Sequence, residues 1–212
     1  MTQSSKVIDD NWFIFATGLS HHLFADYIQL RLCYKLEPLT LISSNFVNMV
    51  EVVEKSLKLY LCLKYKPENA LKKMSDEYGH NISKMRISAS QFNEVFNSED
   101  IIQFVEPFSD KQGQLYQKLR YGSQKVISGF STRLSILMPI VDKVFFTCIL
   151  DHEECDKNII NQSSLLYCLL TGSIFDQTQN KEFIIALLKK DNLYIEDYLK
   201  YCLKLKEEQE KK

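Results

Sequence analysis

At 212 residues, with 45% apolar and 25% charged side chains, the chain is long enough for one sizeable core and ordinary in composition for a globular protein. A formal charge of −1 excludes a protein that coats nucleic acid through bulk electrostatics, but leaves room for a local basic face. Six Gly and four Pro make turns sparse and elements long, which favours helices over the short, evenly spaced strands of a sandwich.

The first eight residues read as frayed. From an N-cap at Asp9 or Asp10, the run NWFIFATGLSHHLFADYIQLRLCYK predicts a first helix ending before Pro38. Trp12, Phe15, Leu19, Leu23, Ala25/Asp26, Leu30 and Cys33 keep roughly helical spacing along it. His21 and His22 point about 100° apart on a helix, so they cannot chelate one metal together and read as a partly exposed pair beside the core stripe.

A second helix is expected from Pro38 and Thr40 to about Lys66, with Phe46, Met49, Val50, Val53, Leu57, Tyr60 and Leu61 as its inward stripe. Glu51→Lys55 and Glu54→Lys58 are Glu-before-Lys pairs at i,i+4, the favourable order. On the helical wheel Glu54 lies at the margin of the stripe, whereas Glu51, Lys55 and Lys58 face away. Pro67 stops this helix, a short helical piece follows Asn69, and Gly79 suits a left-handed residue or a tight turn.

From His80 the pattern HNISKMRISASQFNEVFN predicts a third helix with Ile82, Met85, Ile87, Phe92, Val95 and Phe96 inward. Ser98-Glu99-Asp100 ends it, and the following stretch to about residue 125 is the least regular of the chain. Residues 126–151 read as the last long core helix, in which Pro139 should produce a kink or a break. Three shorter helical patterns follow, separated at Gly172 and at Asp191-Asn192, before a charged, solvated tail. The expected fold is an all-α antiparallel bundle of four to five core helices, residues 1–155, with a C-terminal helical extension, residues 156–212, packed on the same domain.

The six cysteines form no CxxC pair and no zinc-type spacing. The N-terminus has Lys6, Asp9 and Asp10 before the apolar run that starts at Trp12, the wrong order for a signal peptide. The most apolar run, 134–150, is interrupted by Asp142 and Lys143, so it reads as a buried helix and not a membrane span. Reduced thiols and the absence of a targeting segment give the expectation of a cytoplasmic protein with no membrane partner. Asp151, His152, Glu153, Glu154 and Cys155 are metal-competent types in a row, but no further His or Cys spacing completes a site, and neither a metal nor a cofactor is expected.

Residues 44–85 carry a family signal. Glu54-Lys55-Ser56-Leu57-Lys58 on a long helix, the charged connector Leu71-Lys72-Lys73, and Gly79-His80-Asn81-Ile82 opening the next helix resemble the HEPN (higher eukaryotes and prokaryotes nucleotide-binding) superfamily. Its bacterial members carry Glu-x-x-Leu-Lys and then Gly-His-Asp-Leu in this order; here Asn81 stands for Asp and Ile82 for Leu. Leu119-Arg120-Tyr121 before the last core helix also looks like a family feature. The resemblance covers roughly residues 10–150. It implies a helical binding module, nucleotide- or RNA-associated or partner-binding in microbial stress or defence, with Glu54, Lys58, His80, Asn81, Arg120 and Tyr121 as candidate ligand-binding residues. It also implies a homodimer and, as a protein partner, an enzyme such as a nucleotidyltransferase.

RNA-cleaving members of that superfamily carry Arg, four to six residues, then His: the His moves the 2′-hydroxyl proton and the Arg clamps the phosphate. The four arginines here test for it. The matching positions hold Leu36-Glu37-Pro38, Gln91-Phe92-Asn93, Lys125-Val126-Ile127 and Met138-Pro139-Ile140, with no His in any window. The motif is absent, so no catalytic residue is expected. The alternatives are a rearranged RNA-cleaving site around His80, paired with Arg86 or Arg120, and a purely structural interaction protein. From Lys58 to Arg86 there are seven basic and three acidic side chains, an excess of four that suits an anion-binding face or plain solvation. His80 is expected beside Glu54 in space, either fixing the angle between two helices or facing a phosphate at a helix start.

Overall fold

A computed structural model describes residues 12–36, 42–109, 134–152 and 178–210. Among the described residues there are eight α-helices and no strand, so the protein is an all-α bundle. The first helix, α1, spans Trp12–Leu36, and α2 spans Ile42–Tyr65. Residues 37–41 between them, with Pro38, lie outside the described residues.

The bundle is built around α2. From Asn45 to Leu63 every side chain is buried except Val47, Asn48, Glu51, Lys55 and Lys58, which form one narrow, partly exposed strip. The whole expected stripe from Phe46 to Leu61 is buried, and Val52, Leu59, Cys62 and Leu63 are buried as well. The helix is enclosed on several sides, by α1, by α4 (Ile82–Ala89) and by α6 (Leu134–Leu150). Truncating a side chain such as Leu57 to Ala should therefore cost about 2–5 kcal/mol. Burial also pushes the Cys62 thiol up to about 12 and raises that of Cys148, so both behave as small apolar groups.

Contacts along the helices fix their directions. Trp12 of α1 lies at Cys62 of α2, and Asp26 lies at Lys55, so the two run antiparallel. Phe24 and Arg31 meet Phe145 and Asp142 of α6, again antiparallel, so α2 and α6 point the same way. The C-terminal helices α7 (Thr178–Lys189) and α8 (Ile195–Glu210) pack back on α1 and α6 through Leu188, Ile195 and Tyr198. The expected boundary at residues 155 and 156 lies outside the described residues.

In α1 the core face is centred elsewhere than the sequence pattern suggests. Leu23, Phe24, Tyr27, Leu30, Arg31 and Tyr34 are buried, Trp12, Phe15, Leu19 and Cys33 only partly, and Ala25 is exposed. His21 and His22 are both exposed.

The region after α2 is punctuated by its own chemistry. Lys66 takes a positive φ of 45° and its N–H closes on the Cys62 carbonyl at 2.8 Å, an αL stop in front of Pro67. Helix α3 (Ala70–Lys73) widens into a π turn over Met74–Tyr78, closed by Gly79 N–H on the Met74 carbonyl at 3.1 Å. Gly79, at φ 55° and ψ −117°, has the dihedrals of the first central position of a type II′ turn, and Asn81 N–H bonds the Tyr78 carbonyl at 2.9 Å. A side chain there would be strained, hence the glycine.

The expected third helix is shorter than its pattern. It stops at Ala89, because the Asn93 side chain accepts the Val95 N–H at 3.0 Å and opens a separate 3₁₀ turn, Glu94–Asn97. Ile82, Met85 and Phe96 are inward and Val95 partly so, but Ile87 and Phe92 are exposed. Ser98 precedes α5 (Glu99–Val105), in a stretch the pattern left irregular. Helix α6 runs through Pro139, whose ring sits on the exposed side, so it loses one backbone bond without clashing with the core. Residues 126–133 of that expected helix lie outside the described residues.

Candidate functional site

The candidate residues on α2 and at the start of α4 meet. The Gly79 turn brings the chain back toward α2, and His80 Nδ1 comes to 3.0 Å from Glu54 Oε1. The same oxygen accepts from Lys58 Nζ at 2.6 Å, one turn further along α2. The Glu54 side chain is only 8% exposed, Lys58 17% and His80 48%, so a buried carboxylate carries one cation and one imidazole toward solvent. Lys55 reaches Asp26 of α1, so it joins two helices across the bundle.

Asn81 is the N-cap of α4. Its Oδ1 accepts the Lys84 N–H at 2.8 Å and its Nδ2 donates to the Ser109 carbonyl, so the amide both caps the helix and ties it to the end of the α5 segment. Of the other candidates, Arg120 and Tyr121 lie outside the described residues. Arg86 does not turn toward His80: its Nη1 donates to the Phe96 carbonyl at 3.2 Å and to Asn97 Oδ1 at 3.0 Å.

Much of the basic excess beyond Lys58 sits over aromatic rings. Lys64 lies 5.1 Å from the Tyr60 ring, Lys66 5.4 Å from Trp12, Lys73 5.3 Å from Tyr65 and Lys84 5.2 Å from Tyr78. Lys64 is also 3.7 Å from Asp151, and Lys84 Nζ donates to the Glu77 carbonyl at 2.7 Å.

Asp151 accepts from the Tyr60 hydroxyl at 2.5 Å and from Asn93 Nδ2 at 3.0 Å. Desolvation raises its carboxyl, but the bonds from Tyr60 and Asn93 and the charges of Lys64 and His152 outweigh it and hold the group below the usual carboxylate range. His152 is buried, with Nε2 against the Cys148 carbonyl. Among the described residues no group of three His, Cys, Asp or Glu is placed to hold a metal ion, and Glu153–Cys155 lie outside them.

One polar centre escaped the sequence pattern. Arg31 and Asp142 are both 1% exposed and bond each other at 3.1 Å. Tyr27 donates to the other Asp142 oxygen at 2.6 Å and stacks on Phe145 at 3.7 Å. Arg31 Nη2 donates to the carbonyls of Leu188 and Lys190, and Asn192 Nδ2 donates to the Tyr27 hydroxyl at 3.1 Å. Burial pushes the Asp142 carboxyl up to about 6, with Arg31 and the Tyr27 hydroxyl pulling it down. This centre clamps α7 and α8 to α1 and α6 and is closed to solvent, which makes it structural. The signal that could have found it was Asp142 itself, since a carboxylate inside the most apolar run of the chain requires a buried cationic or hydroxyl partner.

No protein-family model, curated protein or solved structure matches the chain. Among the described residues no helix is long and apolar enough to cross a membrane.

Proposed function

We propose that the chain is a HEPN-like helical binding module that holds a phosphate of a nucleotide or RNA at the His80–Lys58 face and does not cleave it. The observation that carries this reading is the shared carboxylate: Glu54 bonds both His80 and Lys58, in the order and spacing of the Glu-x-x-Leu-Lys and Gly-His pattern. Glu54 holds the imidazole and the ammonium on one carboxylate, with His80 one residue before the N-cap of α4, the helix end whose N–H groups and dipole favour an anion. The missing Arg-to-His spacing argues for binding without turnover. A homodimer, a nucleotidyltransferase-type protein partner and a place in microbial stress or defence belong to the same reading.

The test is a thermal-shift series across nucleotides and short RNAs. A ligand at 100 times its Kd should stabilise the protein by about 2.7 kcal/mol, and Lys58→Ala or His80→Ala should remove that gain. Metal-free incubation with mixed-sequence RNA checks the negative half: cleavage abolished by His80→Ala would replace binding with catalysis. Sedimentation equilibrium would report the dimer directly.

A further inference from the structure

We propose that the C-terminal end of α2 is a stacking platform for single-stranded nucleic acid, an inference that rests on the RNA half of the reading above. Lys58 and Tyr65 lie seven residues apart on α2, two helical turns, so they share a side and stand about 10 Å from each other along the axis. Where Lys58 belongs to the phosphate-holding cluster, Tyr65 opens a second surface of a different kind.

That surface pairs ring faces with ammonium groups. Tyr65 is 37% exposed and Phe92, edge-on to it at 5.2 Å, is 42% exposed. Lys73 stands over the Tyr65 ring, and one residue further along the chain Lys66 stands over Trp12. Between residues 64 and 73 the chain has four lysines and one acid, Glu68, an excess of three in a protein of net charge −1. Phe92 is here because α4 stops short: the Asn93 cap turns the chain and leaves the ring outward beside Tyr65.

The chemistry that fits is a phosphate backbone carrying flat, stackable bases. A base takes the ring face of Tyr65 or Phe92, and the ammonium standing over Tyr65 swings onto the neighbouring phosphate, so each ring–lysine pair exchanges one contact for two. Every base offers a π-face, so the surface tolerates any sequence. An acidic peptide would satisfy the lysines, but it brings no flat groups for the rings, and the described residues present no sheet edge to hold an extended chain.

The experiment is fluorescence anisotropy of the full chain with a labelled oligouridylate, repeated with polyglutamate as competitor and over a salt series. Tyr65→Ala with Phe92→Ala should weaken binding about tenfold or more, the scale of lost base–aromatic stacks. Lys73→Ala and Lys66→Ala should each lower the salt slope by about 0.7, while Lys200→Ala on α8 should match the wild type. Both rings are part-exposed, so these variants should fold, as far-ultraviolet circular dichroism would verify; the lysine variants test the same surface without touching either ring. Oligouridylate bound equally well by wild type and the double aromatic variant would overturn the platform and leave the His80–Lys58 reading standing. Polyglutamate displacing the oligonucleotide with equal avidity would also overturn it, in favour of an acidic protein partner. No binding of oligouridylate at all would remove the platform together with the RNA half of the proposed function.

Discussion

His80 Nδ1 and Glu54 Oε1 stand 3.0 Å apart across 26 residues of chain, where the start of α4 meets α2. The two partners are unequal. Glu54 is buried and holds Lys58 as well, whereas His80 is half exposed. Glu54→Ala should cost about 1–3 kcal/mol, because it removes the acceptor that two donors share in a poorly solvated place. His80→Ala should cost less, about 1 kcal/mol or below, because the half-exposed ring exchanges its bond for one with water. Urea unfolding of both variants measures the order, and a His80→Ala loss equal to that of Glu54→Ala would show that the imidazole carries the junction.

The contact was legible because it is nearly local. Glu54 sits on the margin of an apolar stripe that period 3.6 exposes, and the glycine that reverses the chain is visible as a residue type. The stripe on α2 was legible for the same reason. What the pattern missed has one of two causes. The third helix reads eight residues too long at its C-terminal end because Ile87 and Phe92 keep helical spacing, while a single Asn93 side chain decides the break. The Arg31–Asp142 pair is separated by 111 residues, and no local periodicity encodes which helix face a distant carboxylate will meet.

That pair gives the second prediction. Arg31→Met removes the cation from a carboxylate that is 1% exposed, which should cost about 3–5 kcal/mol at neutral pH. The sign of the pH dependence follows from Asp142. Its folded value, about 6, already lies above that of the unfolded chain, and losing Arg31 raises it further. A raised carboxyl contributes stability below its unfolded value and loses it as pH rises through the folded one. The variant should therefore be closest to wild type near pH 4 and fall behind as pH climbs past 6. Thermal melts across that range would show it; a deficit that grows on acidification would contradict the assignment. Because Arg31 also holds the Leu188 and Lys190 carbonyls, protease cleavage at the turn between α7 and α8 should speed up in the same variant.

Asp151 has the opposite sign. Its carboxyl is held low by the Tyr60 hydroxyl, Asn93 and Lys64, so its contribution is present above the unfolded value and is lost as pH falls through the folded one. The side chain is 37% exposed, and with solvent screening its share is about 1 kcal/mol. Tyr60→Phe should remove much of that share at pH 7 and little at pH 3. Equal losses at both values would mean that the hydroxyl matters through packing alone.

The last prediction concerns Asn81, one of the two residues that differ here from a Gly-His-Asp-Leu pattern. Asp and Asn are nearly equivalent N-caps when only the oxygen is used, so Asn81 reads in sequence as a neutral exchange. Here both ends of the amide are used: Oδ1 accepts the Lys84 N–H, and Nδ2 donates to the Ser109 carbonyl. A carboxylate has no proton to give, and Asn81→Asp would set a negative oxygen against that carbonyl in a buried position. Asn81→Asp should thus be destabilising by about 1–2 kcal/mol despite its good capping and its favourable place at the positive end of α4. Asn81→Ala should lose the cap as well, and Asn81→Ser should recover the cap without the Ser109 bond. The three variants measured together by urea unfolding separate the two roles, since an Asn81→Asp protein as stable as wild type would mean that the Ser109 contact contributes nothing and that the oxygen alone explains the residue.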